Sequence, residues 1–279
     1  MKSILSFVLV VVLLFSCKKE DTIPKEWVLE KSIQLDGINP IGIAVLNDKL
    51  WLSDGDHNRV VEIDDAGKII SSIDALDRPM HIAAYDSSLL IPQYGNDSIL
   101  TYSNSHVLPS IIFPSDSLDA PSGVAIRDKE LAIADFYNNR ILYFNGTDWL
   151  SFGKEGKAEG DFYYPTDVQI TESEIWVADA YNNRVQVFDK NGKFLKMIGK
   201  EQKMNAATGL FVSDKSLFVT DFENHRVLVY DLEGNLKQEL KKNIQKPTDI
   251  LQLRDILYII NYGSGTLNSY TLKPIKEKI

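Results

Sequence analysis

Apolar and polar positions alternate along this chain in short runs broken by Asn, Asp, Gly and Pro. Ile43-Ala44-Val45-Leu46 gives way to Asn47-Asp48, and Lys49-Leu50-Trp51-Leu52-Ser53 follows at once. Short β-branched runs between turn residues predict strands, here Ile43 to Leu46, Lys49 to Ser53, Val60 to Ile63 and Lys68 to Ile73. No window holds a 3.6-residue period, so no helix is predicted.

The four-strand pattern recurs. Four segments end one strand with Asp and begin the next with Arg five positions later: Asp54 and Arg59, Asp135 and Arg140, Asp179 and Arg184, Asp221 and Arg226. Two more keep the apolar frame with a different polar pair, Gln93 and Ser98, then Asn261 and Thr266. The anchors at 54, 93, 135, 179, 221 and 261 are spaced by 39 to 44 residues. A second anchor keeps step with the first. Each unit opens with Pro or Ala, a spacer, and a small or polar residue: Pro40-Ile41-Gly42, Pro79-Met80-His81, Pro121-Ser122-Gly123, Pro165-Thr166-Asp167, Ala207-Thr208-Gly209 and Pro247-Thr248-Asp249.

Repeated four-stranded units of this length predict an all-β, six-bladed β-propeller of antiparallel blades around a central channel. The Pro-x-Gly opening and the Asp-x-x-Asn-x-Arg hairpin resemble the NHL repeat family over residues 40 to about 270, with four close matches among six units. The sixth unit supplies only three strands, Ile250 to Leu253, Ile256 to Ile260 and Leu267 to Leu272. The N-terminal run Val28 to Leu35 resembles the strand Leu236 to Ile244 that precedes Pro247, so it is expected to complete the last blade. Deleting residues 25 to 36 should then destabilise the whole ring, whose units otherwise touch only neighbours.

Ahead of the repeats, residues 1–16 carry Lys2, an apolar stretch from Ile4 to Phe15 and Ser16, the layout of a secretory signal. The stretch is too short to span a bilayer as a helix. Cys17, the one cysteine of the chain, follows at once. Leu14-Phe15-Ser16-Cys17 resembles the lipobox of bacterial lipoproteins, although Phe15 stands where a small residue is usual. The resemblance implies acylation of Cys17, including palmitate, residues 17–24 as a polar tether, and residues 25–279 as the propeller. It implies a bacterial cell-envelope protein held to the membrane by lipid alone, at the outer membrane, with the periplasmic or surface side open.

The net charge of −9 argues against a partner held through phosphates, so no nucleic acid is expected. No Gly-x-Ser-x-Gly, His-Glu-x-x-His or phosphate-binding glycine loop occurs, and no catalytic residue is assigned. The repeated Asp and Arg pairs face each other across hairpins, and four copies of one pair point to architecture.

The third opening position is more informative. Gly42, His81, Gly123, Asp167, Gly209 and Asp249 alternate glycine with a polar side chain at the start of the innermost strands. His81, Asp167 and Asp249 should converge with near threefold symmetry at the channel mouth, where one imidazole and two carboxylates can hold a divalent cation. The placement resembles that of the metal-binding histidines of NHL-related amidating lyases, with Asp in two of the places. The plainer alternative is that these side chains accept hydrogen bonds from nearby backbone amides. On the same face, the hairpin tips carry Tyr94, Phe136, Tyr137, Tyr181, Phe222 and Tyr262, which either form a recognition rim or pack locally over the blades.

The function expected from the sequence is ligand or protein binding: a scaffold offering one face to a protein, peptide or glycan at the envelope, with no cofactor required. The alternative is a metal-dependent lyase or lactonase-like hydrolase with its site at the channel mouth. Fold analogy carries much of both.

Overall fold

The computed structural model describes residues 24–103, 106–108 and 118–275. The signal segment, Cys17 and residues 18–23 of the tether lie outside these residues. Six four-stranded antiparallel sheets form a six-bladed propeller. The first blade is Ile43–Leu46, Lys49–Asp54, Arg59–Ile63 and Ile69–Ile73, within a residue of expectation at each strand. The other innermost strands are Ala83–Tyr85, Pro121–Arg127, Pro165–Ile170, Ala207–Val212 and Pro247–Leu253.

The Asp and Arg anchors are strand residues that pair in register, as Asp54 with Arg59, Asp135 with Arg140, Asp179 with Arg184 and Asp221 with Arg226. The divergent anchors pair identically, Gln93 with Ser98 and Asn261 with Thr266. A turn residue in the left-handed region precedes each of these Arg or Ser partners: Asn58, Asp97, Asn139, Asn183 and His225, types that tolerate this conformation.

The ring closes through Lys25–Gln34, which pairs antiparallel with Thr266–Pro274 as the outer strand of the sixth blade. Trp27 is buried against Phe218 of the fifth blade, ring centroids 5.7 Å apart. Gln238 bonds both backbone groups of Trp27, each at 2.8 Å. The outer strand of the fifth blade ends at Leu240, sooner than the sequence suggests. Beyond it Ile244 turns into the core beside Trp27 and Ile250.

Apolar side chains from facing blades make the core. Trp176, Val187 and Ile198 of the fourth blade pack on Leu210, Leu217 and Val219 of the fifth, and the other junctions are built alike. Burying each such aliphatic side chain contributes about 1.5–3 kcal/mol.

Polar side chains tie the blades at fixed positions. The turn residues Asn58, Asp97, Asn139, Asn183 and His225 accept the N–H of Arg78, Ala120, Tyr164, Ala206 and Lys246, which lead into the next opening. All five donor residues have positive φ. Nearer the axis the hydroxyls of Ser122, Thr166, Thr208 and Thr248 donate to the carbonyls of Pro165, Ala207, Pro247 and Pro40 of the following blade.

Candidate functional site at the channel waist

The innermost strands start close to the axis, where six side chains would collide. Glycine at every second blade resolves this. A Cβ on Gly42 would sit 2.6 Å from the Met80 carbonyl oxygen, and one on Gly123 2.7 Å from that of Thr166. Gly209 meets Thr248 and Asp249 in the same way. Each glycine therefore lets the next blade's His81, Asp167 or Asp249 approach the axis.

These three residues converge as expected. Each is at least 94% buried, and one ligand atom from each lies within 4.8 Å of the others. The carboxylates are held by backbone amides. Asp167 accepts Val168 N–H at 2.8 Å and Leu210 N–H of the next blade at 2.9 Å, and Asp249 accepts Ile250 N–H at 2.7 Å and Ile43 N–H at 2.9 Å. The plainer reading of the two Asp residues thus describes real bonds. It does not describe His81, whose buried Nδ1 makes no hydrogen bond. That atom lies 3.4 Å from Asp249 Oδ2 but off the line of a hydrogen bond.

Burial pushes the Asp167 carboxyl well above the usual range, Asp249 adds to the rise, and His81 opposes it. Burial alone would lower the His81 imidazole, but Asp249 and Asp167 outweigh it and raise its pKa. Two enclosed carboxylates call for positive charge beside them.

The trio divides two cavities. On the hairpin side a vestibule of about 240 Å³ is lined by Met80, Thr166, Thr208, Thr248, Phe222 and Tyr262, with His81 at its base. On the other side a well of about 300 Å³ runs down the inner strands from His81, Asp167 and Asp249 to Leu253. The expected placement of the trio at the aromatic mouth needs correction. Only His81 borders the vestibule, whereas both Asp residues face the well, because the strands descend from their openings and carry the third opening residue below the threonine layer.

The aromatic residues are grouped unevenly. Tyr94, Phe136, Tyr137 and Tyr181 form one cluster over the second to fourth blades. Phe222 and Tyr262 pair separately, 6.4 Å apart, on the fifth and sixth. Sequence reasoning missed Tyr163 and Tyr164, which join the first cluster: Tyr164 stacks on Phe136 at 4.7 Å and on Tyr163 at 4.5 Å. Their signal was an aromatic pair ahead of Pro165, where other units place Arg78, Ala120, Ala206 or Lys246. Tyr137 is 48% and Tyr181 59% exposed, while Tyr94 and Phe136 are half-buried beneath them. The Tyr94 and Tyr137 hydroxyls bond at 2.6 Å.

The repeated ion pairs tie each hairpin to the segment that enters its blade. Each Asp accepts from its Arg Nε at 2.6–2.9 Å, and its other oxygen accepts an N–H of the segment entering the same blade, from Asn39, Asp119, Tyr163 or Asn205. Arg184 also donates to the carbonyls of Ala158 and Asp161, both at 2.8 Å. Gln93 and Asn261 reproduce the acceptor role for the N–H groups of Asp77 and Gln245 without charge.

The chain is a six-bladed β-propeller with a buried His-Asp-Asp cluster on its axis. A family model described as a 6-bladed beta-propeller, DUF5128, matches residues 155–272, which hold the fourth to sixth blades. No curated protein matches the sequence. Among solved structures, a streptogramin B lyase superposes with TM-score 0.63 at 13% identity, over 90% of this chain and 98% of that one. A catalytically inactive virginiamycin B lyase from Staphylococcus aureus with quinupristin gives 0.62 at 13%, over 88% and 99%. A gluconolactonase from Xanthomonas campestris gives 0.69 at 14%, over 90% and 100%. At such identities the likeness is one of fold.

Proposed function

We propose that this propeller is a ligand-binding scaffold whose working face is the hairpin side. The observation that carries this reading is the aromatic cluster of Tyr94, Phe136, Tyr137, Tyr163, Tyr164 and Tyr181, six rings in mutual contact across three blades with Tyr137 and Tyr181 outermost. Rigid rings with hydroxyl edges offer large contact area at small entropic cost, which suits a glycan or peptide. An array of oligosaccharides and short peptides, probed with the wild type and a Tyr137→Ala/Tyr181→Ala variant, tests it. A ligand lost in the variant is expected; identical binding patterns from the two folded proteins would refute the reading.

The tether suits this orientation. The closing strand begins at Lys25 beside Pro274, at the end of the blade away from the hairpin that joins Asn261 to Thr266. With Cys17 acylated, the domain would hang from the face opposite the aromatic cluster and present that cluster away from the membrane of the bacterial envelope. Loss of membrane association in Cys17→Ser is the expected result, and retention would refute the anchor.

A second reading, a metal-dependent lyase or hydrolase, is favoured by one observation, the unpartnered buried Nδ1 of His81 beside two carboxylates. The donor set fits a divalent ion, and His81, Asp167 and Asp249 would hold it. Bound there, the ion would supply Lewis acidity to a substrate oxygen or to water. Elemental analysis of the wild type and of a His81→Ala/Asp167→Ala/Asp249→Ala variant decides. One ion per wild-type chain and none in the variant would support the enzyme; no ion in either would end it.

A further inference from the structure

The well below the waist has its own chemistry. Its walls carry Ile82, Val124, Val168, Leu210, Phe211 and Leu251 together with Gln169 and Gln252, and its inner end is capped by His81, Asp167 and Asp249. At about 300 Å³ it has room for about ten groups the size of a water molecule, each taking ~30 Å³. A shaft of that size, with apolar side chains along it, admits an organic body as well as an ion.

The cap is an acceptor array. Each carboxylate oxygen that takes a backbone N–H keeps a second lone pair, and the backbone bonds fix the orientation of both carboxylates. His81 Nδ1 is buried and without a partner. The three ligand atoms lie within 4.8 Å of one another, with His81 Nδ1 3.4 Å from Asp249 Oδ2. An alkylammonium carries three N–H donors and no acceptor, the complement of a cap made of acceptors.

We propose that the well binds a small primary amine in its ammonium form, with the head donating to Asp167, Asp249 and His81 Nδ1 and an apolar body of up to about ten heavy atoms along the shaft. The ligand enters from the face opposite the aromatic cluster. The site is separate from the aromatic reading and is a rival, at the same residues, of a bound metal ion.

The test is calorimetric titration of the full chain with n-hexylamine, n-hexanol and hexyltrimethylammonium. The alcohol keeps the body without the charge; the quaternary ion keeps the charge without N–H donors. Saturable 1:1 binding of hexylamine, at least tenfold tighter than either control, is expected. Asp249→Asn should weaken it at least tenfold. Ala84→Leu, which narrows the shaft without touching the cap, should also weaken it, while Tyr181→Ala should leave it unchanged. The Tyr181→Ala result separates failure here from failure of the aromatic-face reading. Equal binding of amine and alcohol, no amine binding by the folded wild type, or binding insensitive to Ala84→Leu would overturn the proposal. So would stoichiometric binding of zinc chloride alone with no response to hexylamine.

Discussion

Trp27→Ala should destabilise the entire propeller, because Trp27 sits on the strand that joins the two ends of the ring. The residue is 91% buried, its ring edge-on to Phe218 at 5.7 Å and packed with Ile244, Ile250 and Tyr270. Truncating a buried Trp to Ala costs about 3–5 kcal/mol through lost transfer energy and the cavity left behind. Of this, the aromatic contact with Phe218 accounts for about 0.5–1.5 kcal/mol. Gln238→Ala is the milder companion. It removes two backbone-directed hydrogen bonds at Trp27, each with a net value of about 0.5–1.5 kcal/mol, so about 1–3 kcal/mol is expected. Against a domain stability of about 5–15 kcal/mol, Trp27→Ala takes a large share.

Equilibrium urea unfolding followed by circular dichroism measures both variants. The midpoint should fall with the slope unchanged, since the closing strand contributes to a single cooperative ring. A loss below about 1 kcal/mol for Trp27→Ala, or an early transition followed by one at the wild-type midpoint, would refute closure as the source of cooperativity. The second outcome would mean that the sixth blade melts by itself and the other five do not need it.

Further outcomes test other parts of the frame. Gly123→Ala places a methyl group 2.7 Å from the Thr166 carbonyl oxygen and 2.9 Å from Asp167 Cα, both backbone atoms, so a loss of about 1–3 kcal/mol is expected in thermal unfolding. Arg226→Ala strands the buried Asp221 and should cost about 3–5 kcal/mol. Asp221→Gln with Arg226→Ser, the neutral pair already present at Gln93 and Ser98, should cost less than Arg226→Ala alone; a double variant as unstable as the single would contradict the structural role given to these pairs. Ala206→Gly relieves a left-handed residue at φ 63° while keeping the N–H that donates to Asn183, and should raise stability by up to about 1 kcal/mol in the same assay.

The strand pattern, the six units and the partnership of first and last strands follow from the sequence by itself. Their causes are local: alternation with period two, turn residues that tolerate positive φ, and Asp and Arg five residues apart across a hairpin. Even the convergence of His81, Asp167 and Asp249 follows from a position shared by every second repeat. Tertiary structure alone decided which way these groups face. The inner strands run down from their openings past the threonine layer, and that puts both carboxylates in the well. It also decided the aromatic grouping, because Tyr164 reaches Phe136 only in a left-handed conformation whose N–H is held by Asn139 of the preceding blade. Hydrogen bonds between blades join residues twenty or more positions apart, and no local periodicity encodes them.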